Sequence, residues 1–145
     1  MGWWSTNIMG GDTPLDFEDS FFDICKVKKF PEPGKMNELS KEDIANHLDE
    51  MIAYIHKGKS AYEDTINIVY QVLAVLMLKA GAFISADLAD FIMQACENDE
   101  WAQESDERKI ETNGLFKALA SYDNEHPIVI KSKGLFEVMS EKLGN

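Results

Sequence analysis

Ser60-Ala-Tyr-Glu-Asp-Thr-Ile-Asn-Ile-Val-Tyr-Gln-Val-Leu-Ala-Val-Leu-Met-Leu-Lys-Ala-Gly81 is the stretch on which the fold turns. Ile66, Val69, Tyr70, Val72, Leu73, Val75, Leu76, Met77 and Leu78 make it apolar nearly all round. Its β-branched residues suit a strand as well, but a run of about nineteen residues far exceeds the usual strand of about 5–6. The reading is a helix capped by Ser60, running to roughly Lys79 and closed by Gly81. A helix with so little polar face has to lie at the centre, with other helices laid around it.

The flanking sequence supplies those helices. Thr13-Pro-Leu-Asp16 reads as a helix start, with Thr13 as cap and Pro14 where a missing N–H costs nothing. That helix should run to about Cys25 or Lys26, because Phe30-Pro-Glu-Pro-Gly34 cannot continue it. Ser40-Lys-Glu-Asp43 is a second capping signal, and Ile44, Leu48, Met51, Ile52 and Ile55 recur at helical spacing up to Gly58. Ser85 opens another helix, with Leu88, Phe91, Ile92 and Ala95 as its expected buried stripe. A further helix carries Leu115, Phe116, Leu119 and Tyr122, with Gly114 either inside it or in its entry turn. His126-Pro-Ile-Val-Ile130 has strand-like composition but no pairing partner, so an extended connector is expected, before a short last helix over about 135–143. The prediction is an all-α fold: residues 1–145 as one domain of five or six helices, with a loop bearing Trp3 and Trp4 packed near the first of them.

Met1-Gly2, Trp4, Asp12, Leu15 and Asp16 resemble the opening of a family of small bacterial proteins of unknown function, which begin Met-Gly-x-Trp-Gly-x-Gly and reach Asp-x-Ala-Leu-Asp at matching distance. Ser5 and Asn7 stand where that family usually has glycines, and Pro14 stands in place of alanine. The resemblance implies an all-helical domain and no activity.

Charge narrows the function classes. There are 26 acids against 14 bases, for a net charge of −12, and Arg108 is the sole arginine. Such a chain repels a polyanion, so direct nucleic-acid binding is not expected. The apolar stretches are too short and too interrupted to span a membrane. Without a secretory signal pattern, Cys25 and Cys96 are expected to remain thiols in the cytoplasm.

Recognisable catalytic or metal patterns are missing. There is no Gly-x-Ser-x-Gly elbow, no phosphate-binding glycine loop and no Cys-x-x-Cys pair, and no cofactor is expected. Asp43, His47 and Glu50 share a helical face, which for so acidic a chain reads first as a solvated surface. Buried on apolar faces, Cys25 and Cys96 would be inert.

Two series of acids stand out. Asp12, Asp16, Asp19 and Asp23 fall on a narrow arc of the first helix; Glu97, Glu100, Glu104, Glu107 and Glu111 would form another ridge if that stretch were one helix. One reading is a solubilising surface. The other is a docking face for a basic protein, such as a nuclease or nucleic-acid-binding effector, in the manner of an inhibitor or immunity protein. Its expected contacts are Asp16, Asp19, Asp23, Glu97, Glu100, Glu104 and Glu107, with Trp101 as an aromatic anchor or else as core. Competing readings are a magnesium-dependent hydrolase of a small phosphorylated substrate, using Glu97, Glu100, Glu104 and Glu107 as ligands, and a structural subunit.

Overall fold

The apolar run folds as a helix, and helices pack against it on more than one side. The computed structural model describes residues 5–58 and 65–130. In chain order these form α1 (Asp12–Ile24), α2 (Lys41–Gly58), α3 (Thr65–Ala80), α4 (Ala86–Glu97), α5 (Glu100–Glu104) and α6 (Asp106–Ser121), with no strand among the described residues. The fold is all-α. The expected Ser60 cap, the Trp3-Trp4 loop and the last helix lie outside the described residues.

Every residue of α3 from Val69 to Leu78 is buried, as the lack of a polar face requires. Helices α1 and α2 pack on α3 and on each other, while α4 packs on α3 and α6, and α5 on α6. Phe21 and Phe22 from α1, Ile44, Met51 and Ile55 from α2, Ile92 from α4 and Leu115 from α6 complete the core. Each such side chain contributes about 1.5–3 kcal/mol through removal from water.

Local signals account for the helix ends, with one correction. Ser40 and Asp43 form the expected reciprocal box, each backbone N–H donating to the other's side chain at 3.0 Å. Helix α3 ends at Gly81, whose φ of +69° lets Gly81 N–H reach Leu78 O and Ala82 N–H reach Met77 O. Thr13, by contrast, is not a cap. Helix α1 starts at Asp12, two residues before the Pro14 start that a Thr13 cap implies, with extended Gly11 as N-cap and no side chain capping it. Pro14 still falls in the first turn, where its missing N–H has no intrahelical partner to lose.

Two expectations about α4 and α6 are also refined. Leu88, Ile92, Ala95 and Cys96 are the buried stripe of α4. Phe91 lies just off that stripe and is 53% exposed, its ring stacked on Tyr70 with centroids 6.2 Å apart. Gly114 is inside α6, where an added Cβ would meet nothing within 4 Å. Gly114→Ala should therefore stabilise the protein by about 0.5–1 kcal/mol, read as a higher urea midpoint with an unchanged slope. After α6 the chain bends over residues 124–126 and continues to residue 130 without helix or strand, and Ile128 N–H fastens it to Leu78 O at 2.9 Å.

Candidate functional site

The first acidic row is intact. At ~100° per residue, Asp12, Asp16, Asp19 and Asp23 span an arc of about 60° on α1, and all four are exposed. Phe21 and Phe22 occupy the inner side. The loop after α1 touches this row at one point: Lys29 Nζ bridges Glu18 at 2.5 Å and Asp19 at 2.9 Å. Burial works against the Lys29 ammonium, but hydrogen bonds and charge from Glu18 and Asp19 prevail and raise its pKa above the ordinary value. Among the described residues, no lysine or arginine pairs with Asp12, Asp16 or Asp23.

The second row is broken. Glu97 ends α4, Glu100 and Glu104 bound α5, and Glu107 and Glu111 belong to α6, so the five do not form one helical ridge. The physical cause lies in two caps. Asp99 accepts from Ala102 N–H at 2.9 Å to start α5, and extended Ser105 ends α5 while accepting from Arg108 N–H at 3.3 Å to start α6. Glu97, Glu100, Glu104 and Glu107 remain exposed. They lie on α4, α5 and α6, while the first row lies on α1.

The same Asp99 opens onto a cluster that was not anticipated from sequence. Arg108, the sole arginine, is 0% exposed, and buried Asp99 and Gln71 surround it. Its Nε and one terminal nitrogen donate to Asp99 Oδ2 at 3.3 and 3.1 Å, and that terminal nitrogen also donates to Gln71 Oε1 at 2.7 Å. The other terminal nitrogen donates to the carbonyls of Thr6 and Asn7, both at 3.0 Å. Gln71 in turn donates to Asp99 Oδ2 at 2.9 Å and to Ala95 O at 3.3 Å. Half-buried Trp101 lies with its ring 4.7 Å from the guanidinium carbon, which ties its position to this cluster. Burial draws the Arg108 pKa below its ordinary value, opposed by the charge and hydrogen bonds of Asp99. The guanidinium nevertheless stays protonated.

A signal for the cluster is present in the sequence. Arg108, Thr112, Leu115 and Leu119 recur at steps of four, three and four, so the stripe that buries α6 contains the arginine. Reading α6 from its leucines alone leaves Arg108 off that stripe.

Among the described residues, the one place where three acidic, histidine or cysteine side chains converge is exposed Asp123, Glu125 and His126, away from Glu97, Glu100, Glu104 and Glu107. There Asp123 accepts from His126 N–H and Glu125 N–H and meets His126 Nδ1 at 2.6 Å, a turn that holds its carboxyl down to about 2. His47 Nδ1 lies 2.9 Å from Asp43 O, within its own helix.

The two thiols are buried and unlinked. Burial, with Asp43 and Glu50 adding to it, pushes Cys25 up to about 11; burial, with Asp99 and Glu97 adding and Arg108 opposing, pushes Cys96 up to about 12. The folded protein therefore favours the neutral thiols. That contribution is whole below the ordinary thiol value and is lost as pH rises through the folded values, so urea midpoints should fall between about pH 9 and about pH 12. At pH 8 both thiols should also resist alkylation in the native state and react once urea unfolds the chain.

With the geometry described, the chain can be set beside known proteins. No family model, curated protein or solved structure matches it. No helix among the described residues is long and apolar enough to cross a membrane.

Proposed function

We propose that this chain is a non-enzymatic, acidic binding domain that covers a basic surface of a protein partner, as an inhibitor or immunity-type antagonist does. A nuclease or nucleic-acid-binding effector fits the chemistry, because carboxylates in a row can imitate phosphate charge. The supporting observation is the α1 row: Asp12, Asp16, Asp19 and Asp23 exposed on one narrow arc, with Lys29 countering Asp19 alone among them. Like charges one turn apart destabilise a helix by about 0.2–0.5 kcal/mol per pair. Solubility would be served as well by scattering them.

Asp16, Asp19 and Asp23 are the primary contacts in this reading. Glu97, Glu100, Glu104 and Glu107, with Trp101, are further contacts in the same reading, carried by α4, α5 and α6. A cytoplasmic setting, and kinship with the small bacterial family that the opening resembles, belong to the same proposal and add no activity to it.

The test is capture from an extract of the native host with immobilised protein, eluted by raising salt from about 50 to about 300 mM, which shortens the Debye length and weakens exposed charge contacts. Bound proteins should be basic, should elute with salt, and should be absent when Asp16, Asp19 and Asp23 are all changed to lysine. Equal recovery by that variant contradicts the proposal.

A further inference from the structure

We propose that two copies of this chain pair through α1 and the loop that follows it, the cationic and apolar loop of each copy seated on the acidic start of the other's α1. The inference goes beyond the partner reading, because it assigns the loop, and it holds whether or not the row also takes a basic protein.

One surface carries both halves of such a contact. Toward the start of α1, Asp12 and Asp16 are exposed, and no lysine or arginine precedes Lys26 in the sequence. At the other end Lys26 takes a left-handed φ of +59° and closes the helix, its N–H bonding Asp23 O and Val27 N–H bonding Phe22 O, both at 3.0 Å. Lys26 and Lys28 are exposed there, and among the described residues no acid pairs with either. Phe30 follows at 59% exposure, with Met36 at 49%. Asn37 N–H donates to Lys29 O at 2.8 Å and Asn37 Nδ2 to Lys28 O at 2.7 Å, which closes the loop and brings Phe30 and Met36 side by side at the base of the turn between them. The apolar pair is thus preformed, and ordering it on association costs little.

A second copy supplies the complementary surface. A two-fold axis across the middle of α1 sets the two helices antiparallel, so the lysines and Phe30 at one end of each meet Asp12 and Asp16 at the opposite end of the other. The contact is self-complementary, with two loop lysines outnumbering Asp23 at the cationic end. Asp19, near the middle, is already countered by its own Lys29, which limits like charge where the two rows face each other. That same bridge shows a loop lysine fitting a carboxylate of the row. Repulsion between whole copies of net charge −12 acts over longer distances and is screened beyond a Debye length of about 8 Å at physiological salt, while ion pairs at contact are shorter than that.

Sedimentation velocity of the full chain at about 150 mM salt should show monomer passing to dimer between about 5 and about 200 µM. Lys26→Glu with Lys28→Glu, and separately Asp12→Lys with Asp16→Lys, should each weaken pairing about tenfold or more. The second of these moves the net charge from −12 to −8, and would strengthen pairing if total charge governed it. Mixed in equal amounts, the two variants should pair at least as firmly as wild type, because each then offers the charge that the other needs. Phe30→Ala should weaken pairing about tenfold with unchanged helical circular dichroism. A wild-type chain that stays monomeric throughout overturns the proposal, and so does a mixture that pairs no better than its components. If a reversed variant fails to fold, the wild type and Phe30→Ala decide, and equal pairing by those two also overturns it.

Discussion

Arg108→Met is expected to cost about 3–5 kcal/mol of folding stability, measured by urea unfolding, the largest single effect anticipated on the polar side of the core. The loss comes less from the missing bonds than from what stays behind. Asp99 would keep a charge at a side-chain exposure of 5%, and the Thr6 and Asn7 carbonyls would lose a donor inside the protein. The double variant Arg108→Met with Asp99→Asn separates these causes. Asparagine still accepts from Ala102 N–H through its carbonyl oxygen, so α5 keeps its cap while the stranded charge is gone. It should therefore recover a substantial part of the loss, and a double variant as unstable as the sum of the singles would refute the charge explanation.

Leu73→Ala should cost a comparable amount, about 3 kcal/mol within a usual range of about 2–5, for a different reason. Leu73 is 0% exposed in the middle of α3, against which α1, α2, α4 and α6 all pack. Those surrounding elements cannot all collapse into the space left by three lost carbons and a cavity would remain, whereas Glu104→Ala on exposed α5 should stay within about 0.5 kcal/mol. A Leu73→Ala loss under about 1 kcal/mol would mean that α3 is not the packed centre of the fold.

Helix boundaries and the central position of α3 were legible because apolar periodicity and caps act locally. Gly81, Ser40 with Asp43, and Ser85 each carry their structural instruction within a few residues, and the chain follows it. Thr13 failed as a cap because Gly11 already adopts the extended backbone needed there, and α1 begins before the threonine. The glutamate ridge was legible only conditionally. Spacing puts Glu97, Glu100 and Glu104 on one face of a continuous helix, but the inward turn of Asp99 and the extended backbone at Ser105 divide it. Those breaks follow from long-range contacts: Asp99 meets Gln71 of α3, and Arg108 meets carbonyls a hundred residues earlier in the chain. Periodicity within a segment carries no information about such partners.

On the candidate site, sequence placed the acids on α1 correctly on one arc, and could not reveal that Lys29 would fold back onto Asp19. That contact also bears on binding. Lys29 occupies one carboxylate of the row in the manner of a basic partner, so Lys29→Ala should uncover Asp19 and speed association with a cationic protein modestly.

Net charge and charge arrangement make different predictions, and a matched pair of variants distinguishes them. One variant carries Asp16→Lys, Asp19→Lys and Asp23→Lys on α1; the other carries Glu38→Lys, Glu42→Lys and Asp49→Lys at exposed positions elsewhere, with the same change in total charge. Association rates with a basic protein captured by the wild type are then measured across ionic strength. The proposed binding face predicts that the α1 variant associates about tenfold more slowly or worse and with a flattened salt dependence, while the matched variant stays within a few-fold of wild type. Equal slowing in both variants would contradict it, because the row would then matter only as part of the total charge.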